Sequence, residues 1–268
     1  MNSYKECNNR SWQIVSSNLE DANRAYWLNV RDNALLYGEN IKAYNDYISF
    51  IAYLVKTMSM PNNAISSSIV LRLLTNKGIF SKNGKINYVS EISDDIQGFL
   101  GMNVILGKVC CRHVANFQND VLAKNYLISQ PFNCYMADED IDNTDDLLPN
   151  HVINLVNYND IYYGYDATND KLFKFIDEFK MQELFTDQPS YILYAPHSDM
   201  IINKSTKEKA KDRIRLLHEI RSGKNDISKN EYREICYFAR SITNNERLLN
   251  DFRESSKKYI KKITKGMK

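Results

Sequence analysis

The segment Gly107-Lys-Val-Cys-Cys-Arg-His-Val-Ala115 decides the fold, because it sets two cysteines at the point where a long helix is predicted to begin. Gly107 marks the break before that helix. The apolar residues that follow recur at helical spacing, namely Val114, Phe117, Val121 and Leu122. A thiolate at the N-terminus of a helix is stabilised by unpaired backbone N–H groups and by the positive end of the helix dipole. The segment therefore predicts a reactive cysteine, Cys111, at the head of a helix.

Two stretches further along the chain predict a β-hairpin that carries a histidine and an aspartate. Asn150-His-Val-Ile-Asn-Leu-Val156 has strand character, and so do the residues that lead to Tyr165-Asp-Ala-Thr-Asn169. The polar Asn157-Tyr-Asn-Asp160 between them is typical of a turn, and Asn159 tolerates the left-handed backbone that such turns require. An antiparallel hairpin is therefore expected here.

The register of this hairpin predicts that its histidine and aspartate face each other. If the turn is centred between Tyr158 and Asn159, the opposed pairs are Val156 with Ile161, Ile153 with Gly164, and His151 with Asp166. Directly opposed residues share a face of the sheet, with Cβ atoms about 5 Å apart. At that separation an imidazole and a carboxylate can form a hydrogen bond. A slip of one residue would put the two groups on opposite faces.

A cysteine, a histidine and an aspartate in this order supply the parts of a thiol catalytic set. A thiol near neutral pH is mostly protonated, so it needs a base to take its proton and a third group to orient that base. We therefore assign Cys111 as the nucleophile, His151 as the base and Asp166 as the orienting group. Each also has a structural interpretation: a small buried cysteine, a satisfied core histidine and an aspartate that begins a turn.

Neighbouring residues offer alternatives to these assignments. Cys110 is adjacent to Cys111, and one helical step rotates a side chain by about 100°, so only one of the two cysteines can face the base. His113 is expected to point to another side of the helix. His197, close to Asp199, is the stronger rival as the base, whereas His218 belongs to a charged, solvated helix and is a weak candidate.

The three motifs together resemble the transglutaminase-like superfamily. Cys111-Arg-His-Val-Ala115 is similar to its Cys-Arg-Asp-x-Ala type motif, His151 stands where its histidine motif begins, and Asp166-Ala-Thr168 is similar to its Asp-Pro-Thr motif. His151 follows Cys111 by 40 residues and precedes Asp166 by 15. The resemblance covers about residues 92–175. The chain departs from the pattern at His113, which replaces an acidic residue, and at Ala167, which replaces the proline.

The resemblance implies an α+β fold with a papain-like or transglutaminase-like core, in which the catalytic cysteine begins a helix packed on an antiparallel sheet. It also implies thiol chemistry on a protein or peptide substrate. Hydrolysis of a peptide or carboxamide bond by a cysteine peptidase or amidase is the first expectation. The alternatives are a protein-glutamine transamidase or deamidase, and a noncatalytic binding module that keeps the fold.

We predict three regions around this core. Residues 1–62 form helices packed on the core, residues 63–200 form the catalytic core, and residues 201–268 form amphipathic helices with a basic end. Periodicity and breaker residues predict helices over 41–58, 206–221, 229–242 and 246–263, and further strands over 171–175 and 190–195. The lysine-rich end is a candidate surface for an anionic membrane or partner, or only the solvated end of a helix.

Composition excludes several other classes of protein. With 268 residues, of which 43% are hydrophobic, the chain can bury a core without disulfides or metals. A net charge of +2 gives no electrostatic footprint for nucleic acid. Five cysteines, two of them adjacent, do not resemble a secreted disulfide framework, and their spacing lacks a zinc-site pattern, so neither metal nor cofactor is expected.

The cellular location is predicted from what the sequence lacks. No charged segment followed by an apolar run stands at its start, and no stretch approaches the roughly 18 apolar residues of a membrane span. A cytoplasmic protein without a membrane span is therefore expected. Export by a machine that needs no signal peptide would leave the same features.

Overall fold

The computed structural model describes residues 42–89, 101–136, 150–176, 180–186, 191–196 and 226–265. Within these ranges the chain combines helices with a curled antiparallel sheet, which confirms the α+β class. The predicted helix over 206–221, and with it His218, lies outside the described residues, as do His197 and Asp199.

Two helices from the first half of the chain build the larger part of the core. Helix α1 covers residues 42–58, and helix α2 is Ala64–Asn76. Asn63 caps α2, because its side-chain oxygen accepts the backbone N–H of Ser66 at 2.9 Å. The buried faces of both helices join one apolar cluster that also receives side chains from the sheet and from the C-terminal helices.

A short helix and a two-residue strand precede the next long helix. Helix α3, Met102–Leu106, ends at Gly107, whose φ of +81° closes the helix in the left-handed conformation. Strand β2, Lys108–Val109, then pairs in parallel with β1, Asn87–Tyr88. Helix α4 begins immediately after it and covers Cys111–Lys124, as the apolar spacing predicts.

Six antiparallel strands form the main sheet. They are β3 Ser129–Met136, β4 His151–Tyr158, β5 Ile161–Asp166, β6 Lys171–Phe175, β7 Lys180–Glu183 and β8 Tyr191–Pro196. They pair in this order, and β8 pairs back with β3, so the sheet closes on itself. One face encloses a small apolar cluster around Phe132, Phe173 and Met181, while the other packs on the helices.

The register predicted for the β4–β5 hairpin is wrong by two residues. The observed pairs are Leu155 with Gly164 and Tyr158 with Ile161, so the turn consists of Asn159 and Asp160. Both turn residues have positive φ, 53° and 62°, as the tight two-residue turn that fits the strand twist requires. With only Asn159 expected in the left-handed conformation, the predicted turn was centred one residue too early.

His151 and Asp166 still lie on the same face of the sheet, as predicted, because strand side chains alternate with a period of two. A shift of two residues returns every side chain to the same face. Extending the observed register sets Asp166 across from Ile153, which is two residues from His151 on the same face of β4. The histidine and the aspartate are thus diagonal neighbours, a separation that a ring as long as imidazole can bridge.

The C-terminal helices pack against the same core. Helix α5 is Lys229–Thr243 and helix α6 is Glu246–Lys265. The ring of Tyr259 stacks on Phe50 of α1 with centroids 5.2 Å apart, and Ile260 and Ile263 are buried. The apolar residues of α6 therefore face the protein, whereas its lysines are exposed. Among the described residues no helix is both long enough and apolar enough to span a membrane.

We expect Gly107→Ala to destabilise the fold more than Gly84→Ala. Both glycines have φ between +70° and +81°, so each substitution carries the strain of a left-handed alanine. At Gly107 the new Cβ would also lie 2.5 Å from Ser81 Oγ and 2.7 Å from the Lys85 carbonyl oxygen, whereas nothing lies within 4 Å at Gly84. Urea unfolding should show an additional loss of about 1–3 kcal/mol for Gly107→Ala. Equal losses in the two variants would contradict this packing.

Candidate active site

Cys111 occupies the first position of α4 and is half-buried. A hydrogen bond from the neighbouring Cys110 thiol lowers the pKa of the Cys111 thiol to about 7, against the opposing effect of burial. The backbone N–H of Val152 and the positive charge of Arg112 act in the same direction. The sulfur therefore carries a substantial fraction of thiolate near neutral pH.

The two adjacent cysteines have thiols of very different pKa. Cys110 is the N-cap residue of α4 and is almost fully buried. Its hydrogen bond to Cys111, and then its burial, raise the pKa of the Cys110 thiol to about 12. Cys110 thus remains a protonated donor while Cys111 becomes the acceptor. This division favours Cys111 over Cys110 as the nucleophile.

His113 holds the start of the helix and is completely buried. Its Nδ1 accepts the backbone N–H of Cys110 at 3.0 Å and lies 3.3 Å from Cys110 Sγ. Its Nε2 lies 2.7 Å from the side-chain amide of Asn103. These contacts form a local capping network, in which the histidine replaces the carboxylate that usually closes a capping box. His113 thus contacts Asn103 and Cys110, whereas Cys111 contacts Tyr88 and Val152.

His151 and Asp166 form the predicted pair. The Nε2 atom of His151 lies 2.9 Å from Oδ2 of Asp166, and both side chains are buried. Asp166 also accepts the backbone N–H groups of Thr168 at 2.8 Å and Asn169 at 3.1 Å, and the Asn169 side-chain amide at 2.7 Å. Because an ionised carboxylate only accepts, the imidazole donates through Nε2. The aspartate therefore fixes both the tautomer and the orientation of the ring.

A contact with β4 and a shared neighbour, Cys134, relate the Cys111 sulfur to this pair. The Val152 N–H that donates to Cys111 belongs to the residue that follows His151 on β4. Cys134 lies directly across from His151 in the β3–β4 register. Burial raises the pKa of Cys134, and the negative charges of Asp166 and Cys111 raise it further, so both groups lie close to Cys134. Cys111 thus contacts β4 at the residue after His151, and His151 in turn contacts Asp166.

Tyr88 is a site residue that the sequence analysis missed. Its phenol hydrogen-bonds with Cys111, and its pKa is raised by burial and then by the negative charge of Cys111. The parallel pairing of Tyr88 with Val109 brings the tyrosine close to Cys111. Because a two-residue parallel pair between distant segments leaves no periodic signal, the sequence contains nothing that would identify this tyrosine.

A cavity of about 400 Å³ opens beside Tyr88, which hydrogen-bonds with Cys111. Its walls include Arg72, Asn76, Lys85, Tyr88, Val114 and Thr168. Val114 lies three positions after Cys111 on α4, and Thr168 belongs to the turn that holds Asp166. In the part of the chain that the structure describes, no cluster of three or more metal-ligating side chains is present.

No protein-family model, curated protein or solved structure matches this chain. The resemblance to the transglutaminase-like superfamily therefore stays a prediction that rests on three short motifs. The contacts described above depend on the chain's own residues and not on that resemblance.

Substitution of Cys110 should shift the pKa of the Cys111 thiol. Cys110→Ala removes the S–H donor that stabilises the Cys111 thiolate, so the Cys111 pKa should rise by about one unit. Cys110→Ser keeps a donor and a good N-cap and should leave the midpoint within a few tenths of a unit. The rate of iodoacetamide labelling against pH, localised by mass spectrometry, measures both midpoints. The same midpoint in wild type and Cys110→Ala would show that this donor does not act.

Proposed function

We propose that this protein is a thiol-dependent acyl-transfer enzyme that hydrolyses peptide or carboxamide bonds. Cys111 is the nucleophile, His151 the general base and acid, and Asp166 the orienting group. The observation that carries this proposal is the meeting of three features. A half-buried thiol with a lowered pKa contacts the residue next to His151, and His151 is hydrogen-bonded to a buried carboxylate at 2.9 Å.

The first half of the reaction forms a thioester. The imidazole of His151 takes the proton of the Cys111 thiol, and because Nε2 contacts Asp166, we assign this transfer to Nδ1. The sulfur then attacks the carbonyl carbon, an S–C bond forms, and the carbonyl electrons move to oxygen. As they return, the C–N bond breaks and His151 donates its proton to the departing nitrogen.

The second half regenerates the thiol. His151 removes a proton from water, and the resulting hydroxide attacks the thioester carbon. The C–S bond then breaks, a carboxylic acid leaves, and Cys111 regains its proton from His151. Backbone N–H groups at the start of α4 are suited to stabilise the oxyanion of both tetrahedral intermediates, because a helix N-terminus concentrates unpaired donors.

The fold and the site agree with a papain-like or transglutaminase-like core, which we include in the proposal. A cysteine with a lowered pKa begins a helix, and it contacts the backbone of the strand that begins with the histidine. If an amine instead of water resolved the thioester, the same residues would perform transamidation. Incorporation of a fluorescent primary amine into casein distinguishes this outcome from hydrolysis.

Alkylation kinetics test the thiol–imidazole pair without a known substrate. At pH 6 we expect His151→Ala to slow iodoacetamide labelling of Cys111 by about tenfold, because an imidazolium neighbour favours the thiolate. Cys236 is a useful internal reference, since it is also partly exposed but burial raises its pKa. It should label slowly and equally in both proteins. Equal labelling of Cys111 with and without His151 would refute the pair.

Peptide hydrolysis tests the nucleophile itself. A proteome-derived peptide mixture incubated in H₂¹⁸O should gain new termini carrying ¹⁸O with the wild type and none with Cys111→Ala. Asp166→Asn should lower the rate by at least about a hundredfold, because the imidazole loses its orienting anion. Circular dichroism establishes that the variants are folded. Hydrolysis that persists in Cys111→Ala but is lost in Cys110→Ala would reverse the assignment of the nucleophile.

A further inference from the structure

The cavity lined by Arg72 and Tyr88 is linked to Cys111 through residues that they share as neighbours. Tyr88 forms part of its wall and hydrogen-bonds with Cys111. Val114, another wall residue, lies three positions after Cys111, so both side chains project from the same face of α4. Thr168 completes the opposite wall, and its backbone N–H bonds to Asp166. A substrate held by Cys111 would therefore place its neighbouring groups in this cavity.

The charged residues that line the cavity are cations. Arg72 and Lys85 are both among its described wall residues, and no carboxylate is. The hydrogen bonds of Arg72 go to neutral oxygens, from Nη1 to Asn76 Oδ1 at 2.6 Å and from Nη2 to the Thr168 carbonyl at 3.0 Å. Among the described residues no carboxylate forms an ion pair with Arg72. Asp170, in the same turn as Thr168, accepts instead from the Tyr165 hydroxyl at 2.7 Å.

Arg72 is also held in place before any ligand arrives. It projects from the buried helix α2, and the two bonds above fix its guanidinium plane. Its Nε is buried and has no hydrogen-bond partner among the described residues. An arginine whose orientation is already set loses little side-chain entropy when it binds an anion. Lys85 is exposed at the rim, where it can add charge without a fixed geometry.

We propose that this cavity binds a carboxylate of the substrate, so that the enzyme acts on amide bonds next to an acidic group. This inference rests on the proposed function. A volume of about 400 Å³ lies within the range of small-ligand pockets and holds an acidic side chain or the end of a peptide. Arg72 recognises the carboxylate, and Lys85 adds attraction at the entrance. The carboxylate comes from a glutamate or aspartate side chain, or from a chain terminus.

Binding of matched small probes to the Cys111→Ala protein tests the cavity independently of the thiol. N-acetylglutamate α-amide carries a side-chain carboxylate, N-acetylglutamine α-amide is its neutral counterpart, and N-acetylglutamine carries a terminal carboxylate. In ligand-observed NMR titrations at low salt we expect one of the two anions to bind about tenfold more tightly than the neutral amide. The preferred anion identifies which source of carboxylate the cavity accepts.

Charge variants of the same protein locate the binding. Arg72→Gln should remove most of the preference for the anion, Arg72→Lys should keep part of it, and Lys85→Gln should reduce it about twofold to threefold. Lys82→Gln is the matched control, because Lys82 is exposed on the same turn but is not a wall residue. Equal reductions in Lys82→Gln and Arg72→Gln would show general electrostatic attraction and overturn the assignment.

The two proposals fail in different measurements. Equal affinity for the anionic and neutral probes, or no binding of either, overturns the carboxylate cavity even if Cys111 labels rapidly and depends on His151. Slow labelling of Cys111 that ignores His151 overturns the thiol enzyme, whatever the probes bind. Anion preference in the Cys111→Ala protein, lost in Arg72→Gln, supports the cavity by itself.

Discussion

The hydrogen bonds that hold the N-terminus of α4 are the constraint on which the site depends. His113, buried beneath the helix, accepts the backbone N–H of Cys110 and contacts Asn103 of the preceding helix. This capping network fixes where α4 begins and therefore where Cys111 lies. The thiol of Cys110, the N-cap residue of this network, hydrogen-bonds with Cys111 and lowers the pKa of Cys111 to about 7. Cys110 thus belongs both to the cap of α4 and to the hydrogen bond that lowers the pKa of Cys111.

A second set of hydrogen bonds joins α4 to the sheet, and α2 to the turn after β5. Asn154, buried on β4, donates to the Ala115 carbonyl of α4 at 3.1 Å and to Ser129 of β3 at 2.9 Å. Arg72 reaches from α2 to the Thr168 carbonyl in the turn after β5. That turn holds Asp166 through two backbone N–H groups. Cys111, His151 and the cavity wall at Arg72 are therefore positioned by elements that pack into one core.

Short-range chemistry made the three principal residues predictable. A cysteine at a helix start, and a histidine and an aspartate on one hairpin, follow from helical spacing, turn residues and the alternation of strand faces. The exact register did not follow, because Asn159 and Asp160 both adopt positive φ and move the turn by one position. Since two residues of register shift preserve the faces, the contact at 2.9 Å agrees with the prediction although the pairing does not.

The sequence by itself determined the α+β class, the start of α4 and the faces of β4 and β5, because these depend on residues within a few positions of one another. Only the tertiary structure decided which groups surround the thiol. Tyr88 and Arg72 lie 23 and 39 residues before Cys111 in the sequence. A parallel strand pair positions Tyr88 at Cys111, and the packing of α2 positions Arg72 in the cavity wall. Such contacts depend on how whole elements bury their apolar faces together. No local pattern in the chain encodes that arrangement, since burial is a property of the assembled core.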